Sequence, residues 1–418
     1  MKIALPQFAA AETALSRVLT MTQPADAVLS SFFRSQPQLG QQDRAIIAET
    51  VFGVLRRRFG LEHHMQASNA RELLLAYLNR VEGLSLRSLE PLLKPADREW
   101  AATRQPPADP APLHVRAELP QWLAEQLERE MPQEAVLELG RALQQPAPLD
   151  LRVNTMLATR ADILRQFTAE GLDAHATPYS PVGIRIAQKP ALNRHVFYTS
   201  GKVEVQDEGS QILCHLVAPG RRDMVVDFCA GAGGKTLALG AMMHSQGRLY
   251  AFDISESRLS NLKPRLKRSA LSNVHPQLLQ GEGDIRVKRL AGKIDRVLVD
   301  APCSGFGTLR RNPDLKWRQQ ASDIPQLAAK QRAILAAAAG LVKPGGRLVY
   351  ATCSILRAEN QAVVEAFLAS HPGFALLPAR EALAQQRIAL DTGEYLQLLP
   401  HVHGCDGFFA AVLVRAAV

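Results

Sequence analysis

The sequence predicts an α/β protein: a parallel, doubly wound sheet in the C-terminal half, preceded by a helical region and a small α/β module. Two observations predict it. From Val203 onward short apolar strands alternate regularly with segments of helical period, the pattern of a sheet whose strands are joined by crossover helices. Before that, residues 9 to about 100 repeat their apolar positions at helical spacing, and a proline-rich stretch then interrupts the chain.

In the N-terminal region Ala14, Val18 and Leu19, and later Ile46, Ile47, Val51, Val54 and Leu55, recur with helical period. Arg56, Arg57 and Arg58 follow directly; they read either as a solvated helix end or as a patch that contacts phosphates. Gln105-Pro-Pro-Ala-Asp-Pro-Ala-Pro112 suits a semi-rigid linker. A helix is expected over 122–143, then a strand over 149–153, a helix over 161–170 closed by Gly171, and a strand over 183–187. Strands follow over 224–229, 248–254, 296–300 and 347–352, the last after the turn Pro344-Gly-Gly346, with a closing strand over 407–414. Helices are expected from Gly234, from the N-cap Ser255, over 324–341 and over 359–369.

A chain of 418 residues with 47% apolar content divides into two or three domains with cores of their own. The formal charge of +9 is compatible with a polyanionic partner. No run of about 18 apolar residues is present, so no membrane-spanning helix is expected. Five widely spaced cysteines form no C-x-x-C pair, and the first residues do not read as a secretory signal. The protein is expected to be cytoplasmic and monomeric, with reduced thiols.

In doubly wound sheets ligands bind beyond the carboxyl ends of the strands. The first such end carries Asp227-Phe-Cys-Ala-Gly-Ala-Gly-Gly-Lys-Thr236, a glycine turn opening a helix. Gly234-Lys235-Thr236 fits a P-loop, but Cys229 stands where that motif needs its first glycine, and Thr236 stands where a dinucleotide fingerprint needs its third. S-adenosylmethionine requires only the tight turn and an acid for its ribose, which Asp253 supplies at the end of the next strand. Asp284 lies between the strands over 248–254 and 296–300; by itself it reads as a solvated turn residue, and in series with the other acids as a partner for adenine.

The next two strand ends carry Val299-Asp-Ala-Pro-Cys-Ser-Gly305 and Tyr350-Ala-Thr-Cys-Ser354. A single cysteine is more often an inert buried thiol; two at adjacent ends of one sheet point to chemistry. Carbon 5 of cytosine is a poor nucleophile until a thiolate adds to carbon 6, and cysteine suits this role as nucleophile and as leaving group. Asp300 is placed to stabilise the adduct, and the base must be unstacked to reach the pocket.

These two cysteine motifs, with Leu119-Pro-Gln-Trp-Leu123, Leu151-Arg-Val-Asn154, Val205-Gln-Asp-Glu-Gly-Ser210, Arg310-Arg-Asn-Pro-Asp-Leu-Lys-Trp317 and Asp406-Gly-Phe-Phe409, make the chain resemble the RNA 5-methylcytosine methyltransferases of the bacterial small-subunit rRNA type (RsmB/Fmu), related to the nucleolar Nop2 and Sun enzymes. The resemblance implies Cys353 as nucleophile and Cys303 in product release, whereas DNA cytosine methyltransferases attack with the cysteine of their Pro-Cys motif. It also implies that S-adenosylmethionine is held by Cys229, Ala230, Gly231, Ala232, Gly233, Gly234 and Lys235, then by Asp253, Asp284 and Asp300. Gly231-Ala232 departs from the Ala-Pro usual in relatives.

The implied architecture is an antiterminator-like, RNA-binding helical domain (1–112), a helix with a small RNA-recognition-like subdomain (113–204), and a Rossmann-like, S-adenosylmethionine-dependent methyltransferase domain (205–418). RNA is the expected partner, 16S rRNA ahead of tRNA, with Arg310 and Arg311 lining its entrance and Arg56, Arg57 and Arg58 of the helical region as separate candidate contacts. His401-x-His403-x-Cys405 lacks a fourth ligand, and no metal is expected. The competing readings are a P-loop ATPase, with the strand ending at Asp300 as its second acidic motif, and an RNA-binding ribosome-assembly factor without catalysis.

Overall fold

The computed structural model describes residues 3–103, 110–188 and 190–417 and divides into two compact units. Most of the proline-rich linker, residues 105–109, lies outside the described residues.

One unit comprises Met1–Pro146 together with Thr308–Ala321. Its helices Leu5–Val18, Ala25–Arg34, Gln41–Met65 and Ala70–Arg80 bury Phe8, Leu15, Phe32, Val51, Leu55, Leu73 and Leu74 against one another. Those positions follow the i, i+3, i+4 spacing that gives a helix one apolar face. Asn69 caps the fourth helix by accepting the Glu72 N–H at 3.0 Å. The single helix expected over 122–143 is two, Gln121–Glu128 and Gln133–Leu143, because Pro132 lacks the N–H that would continue the first. Both belong to the helical unit, whereas the sequence groups them with the α/β module.

Inside this unit two buried side chains hydrogen-bond to the backbone of the long helix Gln41–Met65. The N–H groups of Phe59 and Gly60 donate to the Glu118 carboxylate at 3.0 and 2.9 Å, and Lys316 Nζ donates to the Arg56 carbonyl at 2.9 Å. Glu118 and Lys316 are 6% and 3% exposed. Burial pushes Glu118 up to about 7 and Lys316 down to about 8, each opposed by the other's charge.

The second unit comprises Ala147–Gly307 and Ser322–Val418 and holds two sheets. The smaller contains β1 (Leu149–Val153), β2 (Ala174–Ala176), β3 (Gly183–Ile186) and β4 (Val203–Val205), all antiparallel, in the order β2-β3-β1-β4. With the helices Arg160–Ala169 and Val196–Thr199 it follows a β-α-β-β-α-β course.

The larger sheet contains β5 (Met224–Asp227), β6 (Arg248–Asp253), β7 (Val274–Leu278), β8 (Ile294–Asp300), β9 (Val342–Thr352), β10 (Phe374–Leu377), β11 (Leu396–Leu398) and β12 (Phe408–Arg415). Its order is β10-β12-β9-β8-β5-β6-β7, with β11 beside β12. From β7 to β9 the strands are parallel, but β12 pairs antiparallel with β9, and β10 and β11 pair antiparallel with β12, so the sheet is mixed rather than purely parallel. β9 also begins before the Pro344-Gly-Gly346 turn, which the ladder with β8 absorbs as a register shift. The chain leaves β5 towards β6 and β7, then returns to its other side at β8. The switch point, where such sheets open a crevice, therefore lies between β5 and β8.

Candidate active site

The glycine turn leaves the end of β5 and enters the helix Gly234–Met242. Gly231 and Gly233 have φ of +56° and +82°, and a Cβ on Gly233 would come within 2.1 Å of Leu262 Cδ1, so a side chain there is excluded. Asp253, 6% exposed at the end of β6, accepts the Gly231 N–H at 2.8 Å and the Ser255 N–H at 2.7 Å. The turn is held from behind by two arginines. Arg265 Nη1 donates to the Ala232 carbonyl at 2.7 Å and Arg152 Nη1 to the Gly234 carbonyl at 2.6 Å. Arg152 comes from β1 of the small sheet, so the Leu151-Arg-Val-Asn154 motif braces the turn in the large one. In the sequence that motif is visible but has no evident task, and Arg265 carries no signal.

At the root of the turn Asp227 accepts from Thr236 Oγ1 at 2.7 Å on one carboxylate oxygen. Its other oxygen, Oδ1, is buried with no hydrogen-bond partner. Burial pushes Asp227 up to about 7, against the Thr236 hydrogen bond. Cys229, with Ala230 at the start of the turn, has its thiol pushed up by burial and by the neighbouring acids. Asp284 stands six residues beyond β7 as the cap of the short helix Ile285–Arg289. It accepts from Arg286 N at 2.8 Å and Gln280 N at 3.0 Å, and these bonds hold its carboxyl below the usual range.

Across the switch point Lys235 Nζ lies 2.5 Å from Asp300 Oδ2. Burial would drive the Lys235 ammonium down, but the charge and hydrogen bond of Asp300 outweigh it and hold the pKa above the ordinary lysine value. Beyond Asp300 the chain turns through Cys303, whose Sγ stands 3.4 Å from that of Cys353 at the end of β9. The Cys303 thiol is pushed well up, first by its hydrogen bond to Cys353 and then by burial. Gly307 N donates to the Cys353 carbonyl at 2.9 Å, and Gly407 N to the Gly307 carbonyl at 2.8 Å. A Cβ on Gly307 would fall 2.1 Å from the Gly407 carbonyl oxygen, so this crossing behind Cys353 admits only glycine. The Asp406-Gly-Phe-Phe409 motif supplies one strand of it.

The five arginines assigned to RNA are treated differently by the fold. Arg310 is 5% exposed, and its carbonyl accepts from Arg56 Nη2 at 3.0 Å. Arg58 pairs with Glu62 at 2.6 Å and lies 5.0 Å over the ring of Trp317, which stacks on Phe59. These three are engaged inside the helical unit rather than set out on an open face, and Arg311 is half-buried. Arg57 instead lines a cavity of about 470 Å³ in that unit, together with Arg80, Arg116, His64, Glu118 and Gln144. Arg80 and Arg116 do not stand out in the sequence, because they lie far from the triplet along the chain. In the His401-x-His403-x-Cys405 segment His403 Nδ1 accepts from Leu399 N at 3.0 Å and Cys405 is fully buried. Among the described residues no three His, Cys, Asp or Glu side chains form a metal-binding group, and no helix is long and apolar enough to cross a membrane.

Comparison with known proteins places these features in a family. A family model described as 16S rRNA methyltransferase RsmB/F matches residues 214–414, and one for the ferredoxin-like domain of the same proteins matches residues 119–193. The ribosomal RNA small subunit methyltransferase B of Serratia proteamaculans is 32% identical over 435 residues, covering 97% of each chain. The probable ribosomal RNA small subunit methyltransferase B of Bacillus subtilis is 29% identical over 425 residues, covering 92% of this chain and 93% of the relative. The fold is also that of the crystal structure of PH0851 (TM-score 0.82, 23% identity, 99% of each chain). NSun6 from Pyrococcus horikoshii, solved with SFG, shares it over 72% of this chain and 99% of its own (TM-score 0.63, 20% identity). With a relative 32% identical across 97% of both chains and the family's own model matched from Cys214 to Val414, the chain belongs to the RsmB/F family of 16S rRNA methyltransferases.

Proposed function

We propose that this protein methylates carbon 5 of a cytosine in small-subunit rRNA, with S-adenosylmethionine as methyl donor, Cys353 as nucleophile and Cys303 acting in product release. The observation that carries the reading is the thiol pair, 3.4 Å apart beyond β8 and β9, with the Lys235–Asp300 pair at the switch point beside it.

The residues around the turn fit the proposed donor. Asp227, Asp253 and Asp300 gather carboxylates at the strand ends, and Asp227 Oδ1 has no partner of its own. Such a crevice favours a ligand bearing positive charge and hydroxyl donors and disfavours a polyphosphate. The one lysine that a P-loop ATPase would turn towards phosphate is bound to Asp300. Asp253 is the proposed ribose partner, the glycine turn would take the amino-acid part, and Asp284 is the proposed adenine partner. When bound, S-adenosylmethionine supplies an electrophilic methyl group.

The chain's own residues divide the remaining work. Cys353 takes the role of attacking sulfur by the resemblance of its Thr-Cys-Ser motif to that of the RNA 5-methylcytosine enzymes, with Cys303 standing 3.4 Å from it. Bond formation between Cys353 Sγ and carbon 6 moves the electron pair of the 5,6 double bond towards carbon 5. Asp300, held by Lys235, is the acid proposed to stabilise that adduct at the edge of the base. After methylation, a solvent water takes the proton from carbon 5, its electron pair returns to the 5,6 bond, and Cys353 departs as thiolate; Cys303 is the neighbouring group proposed to assist release. The cavity lined by Arg57, Arg80 and Arg116 is the proposed contribution of the helical unit to rRNA affinity. The presence of both cysteines favours catalysis over a purely structural role in ribosome assembly.

Calorimetry with S-adenosylmethionine, wild type against Asp253→Ala, tests the donor site; ATP binding with no response to S-adenosylmethionine would overturn it. Mapping 5-methylcytosine in 16S rRNA and tRNA from cells with and without the protein tests the base, the position and the class of RNA.

A further inference from the structure

Each of the paired cysteines is followed by a serine, and one carboxylate holds both serines. Glu359, fully buried, accepts through Oε2 from Ser304 Oγ and from Ser354 Oγ, each at 2.5 Å. Through Oε1 it accepts from Ser304 N at 2.8 Å and from Gln331 Nε2 at 2.9 Å. Gln331 Nε2 also donates to the Pro302 carbonyl at 3.0 Å, so the loop is gripped on both sides of Cys303. The next residue, Asn360, does the same for Cys353. Its Oδ1 accepts from Thr352 Oγ1 at 2.5 Å and its Nδ2 donates to the Ser354 carbonyl at 3.0 Å. Both side chains thus act on the backbone and serines around the sulfurs rather than on the sulfurs themselves.

This arrangement is a poor way to make a stable core. A carboxylate removed from water is costly unless a counter-ion or a full set of donors compensates it, and no cation pairs with Glu359 among the described residues. Four donors satisfy it instead, and they come from the two loops that carry the thiols and from the helix Asp323–Ala339. Two apolar loops packed side by side would close the same space without a buried charge. What the carboxylate adds is a fixed separation between two chain segments 50 residues apart.

We propose that Glu359 is a positioning residue that sets the distance between Cys303 and Cys353, with Asn360 fixing the backbone on either side of Cys353. The proposal rests on the two-cysteine mechanism and adds to it the device that holds the sulfurs in register. Displacements of about 1 Å in a reacting group cost on the order of a hundredfold in rate, so a link of this kind bears directly on turnover.

The first test needs neither RNA nor methyl donor. Diamide oxidises neighbouring thiols: each sulfur gives up a proton and an electron, an S–S bond forms, and the reagent's N=N group is reduced to the hydrazine. In the full-length wild type the 303–353 disulfide, identified by peptide mass, should form readily. In Glu359→Ala it should form roughly tenfold more slowly or worse, with unchanged binding of S-adenosylmethionine. Glu359→Gln should recover much of the rate, because its amide oxygen accepts two of the bonds and the serine hydroxyls can turn to accept from its NH2 group. If Glu359→Ala fails to fold, Ser354→Ala, which removes a single link, should show the same slowing. Equal rates in wild type and in the folded variants would overturn the proposal.

The second test reads chemistry. In a Cys303→Ala background the covalent protein–RNA complex should form, and adding Glu359→Ala or Ser354→Ala should slow it by about a hundredfold at unchanged RNA affinity. A complex that forms at the same rate with and without Glu359 would also overturn the proposal. If no complex forms in Cys303→Ala while the disulfide rate still depends on Glu359, the positioning holds and the cysteine mechanism falls.

Discussion

Cys303 and Cys353 are 50 residues apart in the chain and 3.4 Å apart at their sulfurs, where two neighbouring parallel strands, β8 and β9, deliver them to the same edge of the sheet. The hydrogen bond to Cys353 and burial both push the Cys303 thiol up. Replacement should separate the roles of the two cysteines. Cys353→Ala should abolish methylation and any covalent link to RNA, because no adduct begins. Cys303→Ala should attack and methylate but fail to release, so a protein–RNA complex accumulates on a denaturing gel with S-adenosylmethionine and unmodified small-subunit rRNA. The double variant should give no complex. A complex from Cys353→Ala and none from Cys303→Ala would invert the roles; methylation surviving both single changes would remove the cysteine mechanism.

Lys235 and Asp300 should act as one unit. Single-turnover methylation by Lys235→Met and by Asp300→Asn should each fall about a hundredfold or more, as when an oriented charge is removed from a site that excludes water. The double variant should be little worse than the poorer single one, since the second change removes a partner already gone. Effects that simply add would show that the two groups work independently.

Asp227 makes stability depend on pH. Its folded pKa, about 7, lies above the ordinary value of 3.8, so its contribution is fully present below about pH 4 and is lost as pH rises through 7. The melting temperature of the wild type should therefore fall, relative to Asp227→Asn, between pH 5 and pH 8, by roughly 2–4 °C for each kcal/mol. Parallel melting curves across that range would mean that the buried carboxyl is compensated by a group other than Thr236.

RNA affinity should separate the arginines by their surroundings. Arg80→Ala and Arg116→Ala should weaken rRNA binding and lower the slope of log K against log salt by roughly 0.7–0.9 for each phosphate that is no longer neutralised. Arg310→Ala should instead lower the stability of the helical unit, by roughly 0.5–3 kcal/mol. Point changes are the right probe here. Deleting the N-terminal helices would also strip Lys316 and Trp317 of Arg56 and Phe59, on which they pack. A salt slope unchanged in both cavity variants would assign that cavity another purpose.

Ser304, Ser354 and Glu359 mark the limit of what the order of residues reveals. In the sequence the serines are visible only as the third letters of two cysteine motifs, and Glu359 only as the expected start of a helix that in fact begins at Gln361. A buried carboxylate with four donors looks, in one dimension, like a solvated helix-cap residue.

What the sequence by itself determined was the local order of the catalytic half: strands ending in Asp227, Asp253 and Asp300, a glycine turn after the first, and a cysteine beyond each of two later ends. Such features are legible because strand and helix periods, glycine's access to positive φ and the chemistry of a thiol are properties of neighbouring residues. Only the tertiary structure decided which distant groups meet. Lys316 donates to Arg56 across 260 positions, Arg56 to Arg310 across 254, and residues 308–321 join the helical unit although their neighbours in the chain do not. Arg310, read as part of an RNA entrance, is thereby buried, and the last strand, β12, runs antiparallel against β9. These outcomes depend on the desolvation and packing of segments that meet only after folding, and no local pattern records which partner each segment will find.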